Sequence, residues 1–192
     1  MKKKLMTVLA LVLVIALSVA GTYAYLTSQD TVTNTFTVGK VAITLDEAKV
    51  DVDGNLVANA DPVKGNAYKL VPGHEYIKNP TVHFKAESEA SYLFVKVENG
   101  ISAIEAADNN TIADQIKANG WTALDGVANV YYKQVDANTG ADAIDYPVFG
   151  SFKIADNANT AAYGTAQIVV TAYAIQADGM TSATDAWTKL AA

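Results

Sequence analysis

The chain has no cysteine and no arginine, and only two histidines and four prolines among its 192 residues. Without cysteine there is no disulfide frame, no thiolate zinc site, no thiol nucleophile and no lipoprotein anchor. Stability must then come from a packed core. Without arginine, and with an overall charge of −6, the chain lacks the basic face that nucleic-acid binding demands. The motif inventory is equally thin. No G-x-S-x-G and no glycine-rich phosphate loop occurs, so two common routes to catalysis have no sequence basis.

What is present begins with a leader. Lys2, Lys3 and Lys4 form a positive start, Leu5 to Ala20 is an uncharged apolar run, and small residues follow. That order is a secretion signal. A cut after Ala24 puts Thr22 at −3 and leaves Tyr25 as the new N-terminus; a cut after Ala20 also satisfies the small-residue rule. The rival is an uncleaved anchor, because Leu5 to Leu26 is 22 residues and a bilayer needs roughly 20. We expect residues 1–24 to be removed and 25–192 to fold as a single domain, a suitable length for one core. All 20 acidic residues but only 11 of the 14 lysines lie beyond the leader, for a net charge of −9. That charge disfavours docking on anionic lipid, so membrane contact is expected only before cleavage.

Beyond the leader the pattern has period two. Val32, Phe36 and Val38 share one parity, interrupted by Asn34, while threonines occupy the other. This predicts a half-buried strand over 31–38. At Gly39-Lys40 the apolar parity shifts to Val41, Ile43 and Leu45, which marks a bulge or hinge. "VDVDGNLV" at 50–57 reads as a hairpin; its Asp51, Asp53 and Asn55 lack the glycine and glutamate positions of an EF-hand. Pro72-Gly73 makes a turn, and 81–85 and 91–98 are strands, the second apolar on both parities and hence covered on both faces. Ile101, Ile104, Ile112 and Ile116 stand at helical spacings, so 101–119 is expected to be a helical insertion of one or two pieces, capped at Asn110 or Thr111 and closed by Gly120. Further strands are predicted at 127–135, 148–154 and 166–176, the last as the middle of a sheet. A short helix at 181–190 is expected to lay Trp187 on the body. The fold class is therefore all-β, an antiparallel sandwich or jelly roll with a helical insertion.

Candidate chemistry is sparse. His74-Glu75-Tyr76-Ile77-Lys78 begins like the zinc-protease H-E-x-x-H but ends in lysine, and prolines on both sides oppose the helix that motif needs. His83 alternates with Val82 and Phe84 and is expected to face solvent. Glu87 and Glu89 read as a solvated edge. No catalytic residue, metal ligand or cofactor is assigned.

"GTYAYLTSQDTVTNTFTVGKVAITL" resembles the leader and first strand of the TasA/camelysin family, exported proteins of Gram-positive bacteria that form biofilm-matrix fibres or stay on the cell surface. "LVPGHEYIKNPTVHFKAESEASYLFVKVENG" and "IVVTAYAIQADG" resemble later blocks of that family. The resemblance implies a jelly-roll domain, cleavage after Ala24 by the family's dedicated signal peptidase, and a homo-oligomeric fibre in which the freed strand completes the next subunit's sheet. Camelysins have been called metalloproteases, and Lys78 departs from what that activity requires. The residues themselves leave strand 31–38 free to pair within its own domain or across subunits. The alternatives to a fibre subunit are a monomeric secreted binding module and a camelysin-like protease.

Overall fold

The computed structural model describes residues 39–191. The leader residues Thr22, Ala24 and Tyr25 and the strand residues Val32, Asn34, Phe36 and Val38 lie outside them.

Strand predominates over helix in the described chain and is paired antiparallel throughout. In chain order the elements are β1 (Ile43–Asp46), β2 (Glu75–Ile77), β3 (Thr81–Phe84), β4 (Ser91–Asn99), α1 (Ile112–Ala118), β5 (Thr122–Ala123), β6 (Val130–Val135), β7 (Ile144–Pro147), β8 (Ser151–Lys153), β9 (Ile168–Gln176) and α2 (Ala183–Leu190). They form sheets of order β1-β3-β7, β2-β8 and β5-β6-β4-β9. The class is the expected antiparallel sandwich with a helical insertion.

Strand alternation builds two cores on the two faces of β4. Leu93, Val95 and Val97 point to the main core, where they meet Val82 and Phe84 of β3, Tyr76 of β2 and Phe152 of β8. Tyr92 and Phe94 point the other way, into a second core closed by Leu124, Val130 and the Ala183/Ala186 face of α2. Trp187 lies on this face as expected, its ring 5.2 Å from that of Phe94 and 5.3 Å from that of Tyr173.

α1 follows its sequence signals. The Thr111 hydroxyl accepts from the Asp114 N–H at 3.2 Å, and the Asp114 carboxylate accepts in return from the Thr111 N–H, also at 3.2 Å. This reciprocal capping box satisfies two of the donors a helix start leaves open. Ile112 and Ile116, one turn apart, are both buried in the main core.

Several expectations are corrected. Of the expected insertion over 101–119 only Ile112–Ala118 is α-helix, the single piece of the two alternatives; residues 101–105 make a turn, with the Ile104 N–H bonded to the Ile101 carbonyl. Ile101 and Ile104 are nonetheless buried. Among the described residues β9 stands at an edge of its sheet and not in the middle; β4 is internal. The segment 148–154 is strand only at β8, and β7, which the sequence reading passed over, is a strand. The hairpin at 50–57 is held by one bridge, Val50 to Leu56. His83 is partly buried between carboxylates of two neighbouring strands and does not simply face solvent. Among the described residues no helix is long and apolar enough to cross a membrane.

Candidate functional site

Gly39 and Lys40, the expected hinge, lie within the described residues. The Lys40 carbonyl already accepts from the Glu89 N–H at 2.8 Å, and the Ala42 N–H donates to the Ser88 hydroxyl at 3.2 Å. From Lys40 onward the backbone is tied to the β3–β4 connection.

A cleft of about 890 Å³ lies between β1 and β9. Its apolar walls are Leu45 of β1, Tyr68 and Leu70 of the segment before β2, Phe152 of β8, and Ile168 and Val170 of β9. β1 hydrogen-bonds to β3, and β9 to β4; on their other sides neither has a strand partner among the described residues. Unpaired N–H and C=O groups at such edges are templates for another strand. At β1 the edge is partly managed: just beyond the strand Glu47 bridges to Val63, and the Lys64 ammonium donates to the Leu45 carbonyl.

The cleft is also lined by a polar cluster. Glu47 and Lys78 are 5% and 8% exposed, and the Lys78 ammonium donates to Glu47 Oε2 at 2.7 Å. The other oxygen of the same carboxylate accepts from the Asn66 amide at 3.0 Å. That amide also donates to the Ala48 carbonyl at 2.9 Å, and its own oxygen accepts from the Val50 N–H at 3.0 Å. Burial, and then the Glu47 charge, push the nearby Tyr68 hydroxyl well above its ordinary range; that hydroxyl donates to the Ile77 carbonyl. A buried charge is costly unless paired and hydrogen-bonded, and here every polar side-chain atom buried among the described residues has a partner.

The His74–Lys78 segment does not form a metalloprotease centre. It runs from a turn into β2, so the side chains alternate across a sheet and do not gather on one helix face. His74 Nε2 lies 2.8 Å from the Asp53 carbonyl, Glu75 accepts from the Ser151 hydroxyl at 2.8 Å, and Lys78 is engaged by Glu47. His83 on β3 is held at both nitrogens, 2.5 Å from Asp145 of β7 and 2.9 Å from Asp46 of β1. Burial draws this imidazole down, but the two carboxylates more than offset it and hold it above its ordinary value. A ring that donates from both nitrogens has no lone pair for a metal. Among the described residues no group of three or more His, Asp or Glu side chains is arranged to hold an ion. The donors present do not fit the zinc centre that an H-E-x-x-H peptidase uses.

The Asp51 carboxylate spends itself locally. It accepts from the Asn55 and Asp53 backbone N–H groups at 2.9 and 3.0 Å, and the Asn55 bond foremost lowers its pKa. That is a turn.

Sequence reasoning missed the cleft and its polar cluster. A signal was available. Glu47 continues the inward parity of Val41, Ile43 and Leu45, and Lys78 shares the inward parity of Tyr76. Two opposite charges where apolar residues are due point to a buried pair.

Compared with known families, the chain matches the model described as camelysin metallo-endopeptidase over residues 1–119. No curated protein and no solved structure matches it. The matched span includes β1, the polar cluster and β4, while β9, the far wall of the cleft, falls beyond it.

Proposed function

The chain belongs to the TasA/camelysin family, and from that premise we propose that it is a structural subunit of a fibre or surface layer, assembled when residues 31–38 of one copy enter the cleft of the next. Membership supports an extracellular protein of the cell surface or biofilm matrix. The observation that carries the finer reading is the cleft itself, with apolar walls and two strand edges unpartnered among the described residues. An eight-residue strand spans about 26 Å, close to the reach of nine-residue β9. Val32, Phe36 and Val38 would supply the apolar face that Leu45, Leu70, Ile168 and Val170 receive. Head-to-tail addition of this kind is open and propagates. Processing after Ala24 would free the strand, with Gly39 as its pivot.

Microscopy and size-exclusion of the secreted protein test this. Phe36→Ala, at about 3–5 kcal/mol for a buried phenylalanine, should lower association by two to three orders of magnitude on a scale of about 1.4 kcal/mol per tenfold. It should leave a folded monomer with an unchanged melt. Normal fibres from a less stable monomer would mean that strand 31–38 pairs within its own domain.

We read the protein as non-enzymatic despite the family's descriptive name, because the His74, Glu75 and Lys78 side chains are engaged elsewhere. Stoichiometric zinc, with chelator-sensitive proteolysis that His74→Ala removes, would reverse that reading.

A further inference from the structure

The polar cluster beside the cleft has the composition of a reaction centre. One buried carboxylate holds an amine on one oxygen and a primary amide on the other: Lys78 Nζ at 2.7 Å from Glu47 Oε2, and Asn66 Nδ2 at 3.0 Å from Glu47 Oε1. The amide oxygen is held as well. The Asn66 carbonyl oxygen takes the Val50 N–H at 3.0 Å, and a fixed backbone donor on that oxygen stabilises the negative charge that nucleophilic attack would place there. Two residues of the three are almost wholly buried, and proximity of this kind replaces a bimolecular encounter by a local step. A structural ion pair also gains from an amide at its free carboxylate oxygen; only a reacting one goes on to lose ammonia.

We propose that Lys78 and Asn66 become joined by an intramolecular amide bond, with Glu47 carrying the protons between them. Glu47 takes a proton from the Lys78 ammonium, a transfer that removes two buried charges at once. The freed Nζ lone pair attacks Asn66 Cγ. A C–N bond forms and the carbonyl π pair moves to Oδ1, under the Val50 N–H. The intermediate collapses by breaking Cγ–Nδ2. The new amide nitrogen keeps one of the three ammonium protons; the other two pass by way of Glu47 to the departing nitrogen, which leaves as ammonium. The positive charge of Lys78 thus leaves with the ammonium, Glu47 ends as it began, and no oxidant, metal or second substrate is consumed. The link would tie the segment before β2, which carries the cleft residues Tyr68 and Leu70, to the residue that follows β2. It forms in the folded monomer whether or not the protein assembles into fibres.

Mass spectrometry of the purified secreted protein, with its N-terminus sequenced independently, is the test. The intact mass should fall short of the sequence value by one ammonia, about 17 Da. A tryptic digest should yield Gly65–Lys69 joined to the peptide that starts at Leu70, uncut after Lys78. Lys78→Met and Asn66→Ala should each restore the mass expected from their sequences. Glu47→Gln, which keeps a hydrogen-bonding side chain but no base, should leave Lys78 and Asn66 unlinked in a protein that still shows the wild-type β-sheet circular dichroism. A full sequence mass for the wild type, with Lys78 acylated under denaturing conditions as readily as the other lysines, would overturn the proposal. So would deamidation of Asn66 in place of the link. Complete linkage in Glu47→Gln would overturn the role of Glu47.

Discussion

The outer face of β4 offers a quantitative test of the two-core architecture. Phe94 is fully buried and lies on the face away from the sandwich interior, between Tyr92, Tyr132 and Trp187. Truncating a buried phenylalanine to alanine costs about 3–5 kcal/mol, transfer and cavity together. For a domain of this size each kcal/mol moves the melting midpoint by about 2–4 °C, so Phe94→Ala should lower it by about 6–20 °C. Trp187 is only half-buried on α2, and Trp187→Ala should cost less, about 2 kcal/mol by area. The rings of Phe94 and Trp187 stand 5.2 Å apart, within the range where an aromatic pair adds about 0.5–1.5 kcal/mol beyond area. The double variant should therefore lose less than the sum of the singles by that amount. Urea titrations of the four proteins, followed by tryptophan fluorescence and by circular dichroism, give the cycle. A shift under about 3 °C for Phe94→Ala, or a cycle that closes with no coupling, would mean that α2 does not seal a second core. Because this face is opposite the cleft face of the sheet, neither variant should change the assembly proposed for the cleft under conditions where both are folded.

Other substitutions probe single devices. Gly54 has a φ of +83°, and a Cβ there would come within 2.9 Å of the Tyr76 Cα, so Gly54→Ala should cost about 1–3 kcal/mol in a urea titration. Thr111→Ala removes the capping-box hydroxyl and should cost about 1 kcal/mol by the same measurement. The raised His83 imidazole is bound more tightly to its proton in the folded chain than in the unfolded one. Its contribution is therefore complete below the unfolded value of about 6.5 and disappears as pH rises through the folded value. Thermal melts across that range should fall with pH in the wild type and flatten in His83→Gln.

Much of the fold could be read from alternation, and the failures have physical causes. β4 was legible as doubly covered because Leu93, Val95 and Val97 stand on one parity and Tyr92 and Phe94 on the other. β9 has the same two-sided pattern, since Ile168 and Val170 meet one core and Tyr173 and Ile175 the other. Hydrophobicity records what covers a strand's faces and is blind to what lies along its hydrogen-bonding edge, so β9 was misplaced to the centre. β7 escaped notice because "IDYP" is only four residues, largely exposed, and ends in a proline, which is uncommon inside a strand. Ile101 and Ile104 satisfy a helical spacing, but a single turn buries both. The cleft draws on Leu45, Tyr68, Phe152 and Val170, positions that only the folded chain brings together. Lys78 was legible as a misfit in a zinc motif and Glu47 as a charge on an inward parity; that the two meet, with Asn66 on the same carboxylate, was not, because pairing across the fold leaves no local pattern.

The internal position of β4 also governs when the domain can close. Both of its neighbours come later in the chain, with Ser91 opposite Val135 on one side and Gln176 on the other. Such distant pairings make folding slow, since a long loop must close before any ladder bond rewards it. A machine that threads this chain N-terminus first delivers β4 long before β9. Until the last strand has emerged, the sheet lacks one side and the main core lacks Ile168, Val170 and Ala172. For any machine that threads the chain N-terminus first, the order of strands postpones closure of the main core until the last strand is through.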